Sequence, residues 1–370
     1  MIRVGDVARI IERAAPLALA LPDDNPGLQT GRADASVGGI LVALDPTPAA
    51  VRRTVRAKAD LLVTHHPLFM DPLRRIDTGT ATGASAAAAI GAGISVYAAH
   101  TNLDAAPEGL AVAVARRLKI ADRRFLHPVN GPAWIKVVVF VPVAAAADLH
   151  AAMAAAGAGA IGRYDSCAFL AHGEGLFRPL AGARPAIGKP GKLEHVPEAR
   201  LEMMAGEAEL PAVLAAIRRV HPYEVPAIDC LPLRPAQLGG FGCIGQVAAA
   251  GFGDFVRRAA RALGAEARVS GARVSRVRTV AVCPGSGGRL VPLAAAAGAD
   301  VFVTGEVRYH NMREAEHHGI AIVELGHDRT EMPAVDLLAR LIRGGLVAAG
   351  ASVPVAIYKE PRAARTAAGR

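Results

Sequence analysis

Two adjacent histidines, His65 and His66, close the apolar run in "LLVTHHPLFM". Leu61 to Thr64 reads as a buried β-strand that stops before Pro67, because proline cannot donate to a ladder and restricts the residue before it. The pair therefore stands at the C-terminal mouth of a strand, where open α/β sheets tend to hold ligands. Neighbouring strand residues point to opposite faces, so both reach one site only where the strand has ended. Two readings fit: a metal site, or a polar strand end with hydrogen-bonded imidazoles. Further candidate ligands stand at other predicted strand ends: His100 and Asp104 in "AAHTNLD", His327 and Glu331 in "LGHDRTE", with Glu306 and His310 nearby. Imidazole nitrogen with carboxylate oxygen suits Zn, Fe, Mn, Co or Ni, and the absence of cysteine from every cluster argues against a structural thiolate site. So many ligands exceed what one catalytic ion with an open position takes. They suit two ions sharing a bridging carboxylate and a bridging water, roughly 3.5–4 Å apart.

Each residue also has a plain structural reading. Glu331 is a first-turn acid that complements a helix dipole, Asp104 a turn residue before Pro107, and His100 a lone buried imidazole. The apolar period after Met332 predicts a helix with Thr330 as N-cap, preceded by His327. What favours a shared site is recurrence. "LVALDPTPAAVRRTVRAKADLLVTHH" aligns with "VAVCPGSGGRLVPLAAAAGADVFVTGE", matching Ala59-Asp60 to Ala299-Asp300 and Val63-Thr64 to Val303-Thr304. Each copy reads strand, Pro-containing turn, helix and strand, a βαβ unit that implies parallel strands. "GAGISVYAAHTNLD" then answers "HHGIAIVELGHDRTE", placing His100 and Asp104 against His327 and Glu331. Between the halves, bracketed by "HPVNGPAW" and "LPLRPAQLGGFG", lies a segment of different character. Its order fits a ferredoxin-like βαβ-βαβ module with one extra strand, "SCAFLAHG" and "GLFRPL" being read as separate strands.

At 370 residues, 52% hydrophobic and 20% charged, the chain can build a core and has room for two domains or one with an insertion. The net charge of +9 comes from scattered arginines, and aromatics are only 4%, so nucleic-acid binding is not the expected main role. Cys167, Cys230, Cys243 and Cys283 form no CxxC pair, the pattern of reduced cytoplasmic thiols. The N-terminus reads as an amphipathic helix without a signal-peptide layout. The uncharged stretch 78–99 is too weakly apolar to span a membrane and predicts a small-residue helix packed on a sheet. "CPGSGG" resembles a phosphate cradle but lacks the P-loop lysine and its Ser/Thr pair. "VHPYEVPAIDC" brings His221, Tyr223 and Glu224 close together, as a strand-edge turn or a second metal site.

"DDNPGLQTGR", "LLVTHHPLF", "AAHTNLDAAPEGL", "VFVTGEVRYHNMREAEHHGI" and "LGHDRTEMPAV", in this order across both halves, resemble the Nif-three-like family, often labelled type two GTP cyclohydrolase homologues. The resemblance implies an α/β fold of two related halves forming one core around a dinuclear metal site, with an inserted ferredoxin-like (PII/CutA-like) domain. The expected boundaries are 1–127, 128–235 and 236–370. Carried over by position, the metal ligands are His65, His66, Asp104, His327 and Glu331, with Glu331 the bridge. His100 matches a histidine lining the same cavity and takes the role of proton shuttle. Asp23 and Pro26 depart from the family pattern, which usually has an aromatic and a small apolar residue there. The implied function is a cytoplasmic metal-dependent hydrolase using two divalent ions, assembled as a homohexamer, its substrate a nucleotide or another small molecule. The rival reading is a non-enzymatic metal-handling or regulatory ring whose insertion gates access or senses a small molecule.

Overall fold

The computed structural model describes residues 1–131, 133–234 and 236–360. It divides into two compact units, one formed by Met1–Val129 with the chain from Gln237 on, the other by Asn130–Ala236. The first half of the larger unit runs α1 (Val4–Ala14), β1 (Gly27–Thr30), β2 (Ile40–Ala43), α2 (Pro48–Arg56), β3 (Leu61–Thr64), α3 (Ala81–Gly91), β4 (Ser95–Ala98), α4 (Thr101–Ala105), α5 (Leu110–Arg117) and β5 (Ala121–Asn130). The smaller unit contributes β6 (Trp134–Pro142), α6 (Ala146–Ala155), β7 (Ala168–Phe177), β8 (Glu194–Gly206), α7 (Leu210–Val220) and β9 (Ile228–Pro232). The second half then adds β10 (Gln237–Gly251), α8 (Phe252–Leu263), β11 (Arg268–Gly271), β12 (Arg276–Cys283), α9 (Val291–Ala296), β13 (Val301–Thr304), α10 (Tyr309–His317), β14 (Ala321–Glu324), α11 (His327–Ala348) and β15 (Val355–Ile357).

The larger unit is mixed α/β with two sheets, ordered β1-β4-β3-β2-β15 and β11-β14-β13-β12-β10-β5. At the heart of each lies a parallel trio, β2-β3-β4 and β12-β13-β14, in matching register: Ile40 pairs Leu61 and Leu61 pairs Ser95, as Val280 pairs Val301 and Val301 pairs Ala321. These strands are buried on both faces, so they read as continuous apolar runs. Val42, Val63, Val282 and Val303 join α1, α5 and α11 in one core. Leu41 and Leu62 pack instead on α2 and α3, and Ala281 and Phe302 on α9 and the end of α10. A one-residue slip would exchange two buried faces shaped for different neighbours, so its cost is lost packing fit, about 1–3 kcal/mol for each misfitted side chain.

The internal repeat extends to polar detail. Asp60 accepts from the Gly38 amide at 2.6 Å, and its counterpart Asp300 accepts from Arg278 and Thr279, each at 2.8 Å. Each acid thereby ties the start of its own strand to the start of the preceding one. In both halves the threonine ending the middle strand accepts through its carbonyl from the next chain segment, Thr64 from Ala99 and Thr304 from Leu325, each at 2.9 Å. The mouths of the strands are thus built alike before any side chain of the site is considered.

In the smaller unit an antiparallel sheet, ordered β7-β8-β6-β9, carries α6 and α7 on one face over Val137, Val139, Leu201 and Met203. The two short strands expected from "SCAFLAHG" and "GLFRPL" are one: β7 pairs β8 without a break from Ala168–Met203 to Phe177–Glu194. Gly173 and Gly175 look like breakers in sequence, but an unbroken partner strand carries the ladder across them. Among the described residues no helix is long and apolar enough to cross a membrane.

Candidate metal centre

Beyond Thr64 the chain stays tethered to the end of β2, with the amides of His65 and His66 donating to Leu44 O at 3.2 and 3.0 Å. The two imidazoles turn inward there. The His65 side chain is fully buried, and its Nδ1 lies 2.8 Å from Ala99 O. His66 Nδ1 lies 2.7 Å from Asp45 Oδ1, just past the end of the neighbouring parallel strand. After β4, His100 precedes α4 with its Nδ1 2.7 Å from Asp24 Oδ1. After β14, Gly326 adopts φ 87°, and α11 starts at His327, whose Nδ1 lies 3.1 Å from Glu306 Oε1. All four histidines therefore use Nδ1 for an oxygen acceptor, the arrangement by which metal-binding imidazoles are oriented with Nε2 free for the ion.

Glu331, one turn into α11, sits at the centre with its side chain 5% exposed. Its Oε2 lies 2.9 Å from His66 Nε2 and 3.0 Å from His327 Nε2, while its Oε1 lies 4.0 Å from His65 Nε2. His65 Nε2 and Asp104 Oδ1 are 3.7 Å apart, both buried and both without a hydrogen-bond partner. A buried polar atom left unpaired is costly, and two such atoms facing each other at that separation leave room for a shared cation. Among the described residues two groups stand close enough to hold an ion: His65, His66 and His100, and His66, His327 and Glu331. Asp104 belongs to neither by that measure, yet its unpaired oxygen points at His65. His310 lies on the exposed start of α10 and joins neither group, whereas Glu306 enters through His327.

The electrostatics follow from this packing. Burial pushes His65 down to about 3, so its ring is neutral. Burial and the neighbouring Glu331 charge push Asp104 up to about 7. Burial also disfavours charge on His66, but the Asp45 and Glu331 carboxylates outweigh it and raise the imidazole to about 10. Hydrogen bonding to Glu331 raises His327 to about 9. Glu331 itself is buried, yet His327 and His66 hold its carboxyl well below the usual range. A divalent cation bound here would displace the protons that Glu331 favours on His66 and His327.

The helix carrying Glu331 begins four residues before the expected start, with Gly326 at its N-cap position. Thr330 is not its N-cap; its hydroxyl accepts from the Gly285 amide at 3.0 Å and donates to carbonyls in the first turn. The positive φ of Gly326 lets the chain enter the helix directly from the strand, which the apolar pattern after Met332 could not reveal. In "CPGSGG" the Gly285 and Gly287 amides donate to Thr330 and Thr304, so they are not free to cradle a phosphate. Gly285, at φ 63°, matters through its missing side chain: a Cβ there would lie 2.1 Å from Glu331 Oε1. A cavity of about 570 Å³ opens over the cluster, walled by Asp24, Asp104, Phe241, Cys283 and Arg289.

Two acids escaped the sequence reading. Asp24 has a side chain only 2% exposed, and the hydrogen bonds from His100 and Thr101 outweigh burial to bring it to about 2. Asp45 follows β2. Its position after the strand adjacent to the His65-His66 strand was the available signal.

The family model for Duf34/NIF3 (NGG1p interacting factor 3) matches residues 2–362. The GTP cyclohydrolase 1 type 2 homolog of Halalkalibacterium halodurans is 37% identical over 325 residues, 87% of either chain. The protein of that name from Mycobacterium tuberculosis is 36% identical over 363 residues, 96% of this chain and 94% of its own. Among solved structures, a Bacillus cereus protein related to NIF3 superposes with a TM-score of 0.70 at 32% identity, covering 98% of each chain.

Proposed function

Because the chain belongs to the Duf34/NIF3 family, we propose that it is a metal-dependent hydrolase that holds two divalent ions and acts on a small molecule, with a nucleotide as first candidate. In this reading His65, His66, Asp104, His327 and Glu331 would hold the ions, with Glu331 the residue both would share. One observation carries it: the two oxygens of buried Glu331 face different imidazoles, beside the unpaired atoms His65 Nε2 and Asp104 Oδ1. When bound, such ions activate water near neutral pH and act as Lewis acids. The chain's own residues supply orientation and proton transfer. Asp24, held by the Thr101 amide and hydroxyl, fixes one face of His100 and leaves its other nitrogen to take or give a proton. Asp45 and Glu306 prevent His66 and His327 from turning away. The name its relatives carry, GTP cyclohydrolase 1 type 2 homolog, supports the nucleotide.

The deciding measurement is elemental analysis of the purified chain beside His65→Ala and Glu331→Ala. About two transition-metal ions per chain, falling in both variants, is the expected result. A chain that stays metal-free after reconstitution with Zn, Mn and Fe would reduce the histidines to a polar strand end. A second reading, a metal-handling or regulatory protein, draws on the partial exposure of His66 and His327, with side chains 22% and 38% exposed. Rapid loss of metal to mild chelators, with no hydrolysis across a nucleotide and phosphoester screen, would favour it. We further read the smaller unit as a ferredoxin-like, PII/CutA-like insertion, supported by its strand order, and the assembly as a cytoplasmic homohexamer, testable by sedimentation.

A further inference from the structure

The smaller unit carries a concave site of its own. A cavity of about 560 Å³ is walled by apolar side chains, among them Phe140, Phe177, Ile187 and Val225, with Glu198 in its lining. Glu198 is only 8% exposed. Its Oε1 accepts from the Tyr223 hydroxyl at 2.7 Å, and no donor among the described residues reaches its Oε2. That oxygen lies against Gly175, where a Cβ would come within 2.2 Å of it. Glu202, on the same face of β8, is met by Lys136 Nζ at 2.8 Å and Arg200 Nε at 2.9 Å. A carboxylate with no cation beside it and one oxygen without a protein donor, set among apolar walls, offers an acceptor to a donor entering the cavity.

The surroundings favour positive charge. Glu174 and Glu224 also line the cavity, against the single guanidinium of Arg178, a local reversal of sign in a chain of net charge +9. A metal ion fits poorly. His221 uses both ring nitrogens internally, with Nε2 2.9 Å from Phe140 O and Nδ1 accepting from the Tyr223 amide at 3.0 Å. The ion-sized groups found among the described residues all lie in the larger unit. Phe177 and Tyr223 stand edge to face, ring centroids 5.4 Å apart, and give the cavity a fixed aromatic wall.

We propose that this cavity binds a small organic cation, an apolar or aromatic body whose amine or amidine head donates to Glu198 Oε2. The test titrates the metal-loaded full-length protein with benzamidine, followed by saturation-transfer NMR, with benzoate as the ring of opposite charge. Benzamidinium should bind, benzoate should not, and Glu198→Gln should weaken binding at least about tenfold, with the metal content of the larger unit unchanged. Ile187→Trp, at a half-exposed wall position, should block the cavity with Glu198 intact, and decides the matter if Glu198→Gln does not fold. Binding that survives both variants, equal binding of benzoate, or no binding up to the solubility of benzamidine would overturn the proposal.

Discussion

Glu331 is the residue on which the larger site turns, because its two oxygens look toward different imidazoles from one buried carboxylate. Glu331→Gln keeps the shape and removes the charge, and should abolish metal retention against a competing chelator. Asp45→Asn touches only the far nitrogen of His66, so it should weaken metal binding by about 10- to 100-fold without eliminating it. The pH dependence has a definite sign. In the ion-free chain His66 and His327 are raised to about 10 and 9, so their pairing with Glu331 stabilises the fold fully below about 6.5. That contribution is lost progressively as pH rises from about 6.5 and is gone above about 10. The melting temperature of the ion-free protein should therefore fall across that window more steeply than that of the loaded protein. Loading near pH 7.5 should release roughly two protons, measured by calorimetry in buffers of different ionisation enthalpy. Absence of proton release would mean that both rings are neutral before the ion arrives.

The elements that deliver these side chains are the ends of parallel strands, and their precision comes from backbone contacts. The turn after β12 passes so close to Glu331 that only glycine fits at Gly285. Gly285→Ala combines that collision with a left-handed backbone, which alone costs an L-residue about 1–2 kcal/mol. It should lower both the melting temperature and the metal content, whereas alanine at exposed Gly344, where a Cβ meets nothing, should lower neither. The strand ends were legible in the sequence because runs such as "LLVT" and "VFVT" stop at polar residues. The start of α11 was not, since its entry depends on one glycine torsion and not on the apolar period.

At the scale of the whole molecule, each unit has a core of its own. The smaller unit leaves the larger between β5 and β10, which neighbour each other in the six-stranded sheet, and the Gly131 amide donates to Ala236 O at 2.8 Å. Residues 131–236 should therefore be replaceable by a short glycine-serine turn. The shortened chain should fold cooperatively and keep the metal content of the full chain. A shortened chain that folds but loses its metal would show that the insertion helps to hold the ions.

The sequence by itself determined the parallel trios, the repeat that relates them and the six side chains gathered at their mouths, because apolar period and strand-end position are local properties. It also pointed to an insertion, through a change of composition and two Pro/Gly-rich borders. Only the tertiary structure decided which atoms face which. Asp24, Asp45 and Glu306 each reach an imidazole from a different segment, and nothing in their local sequence encodes that distance. The same holds for Glu198: an acid in a strand looks ordinary until the fold buries it without a cation beside it.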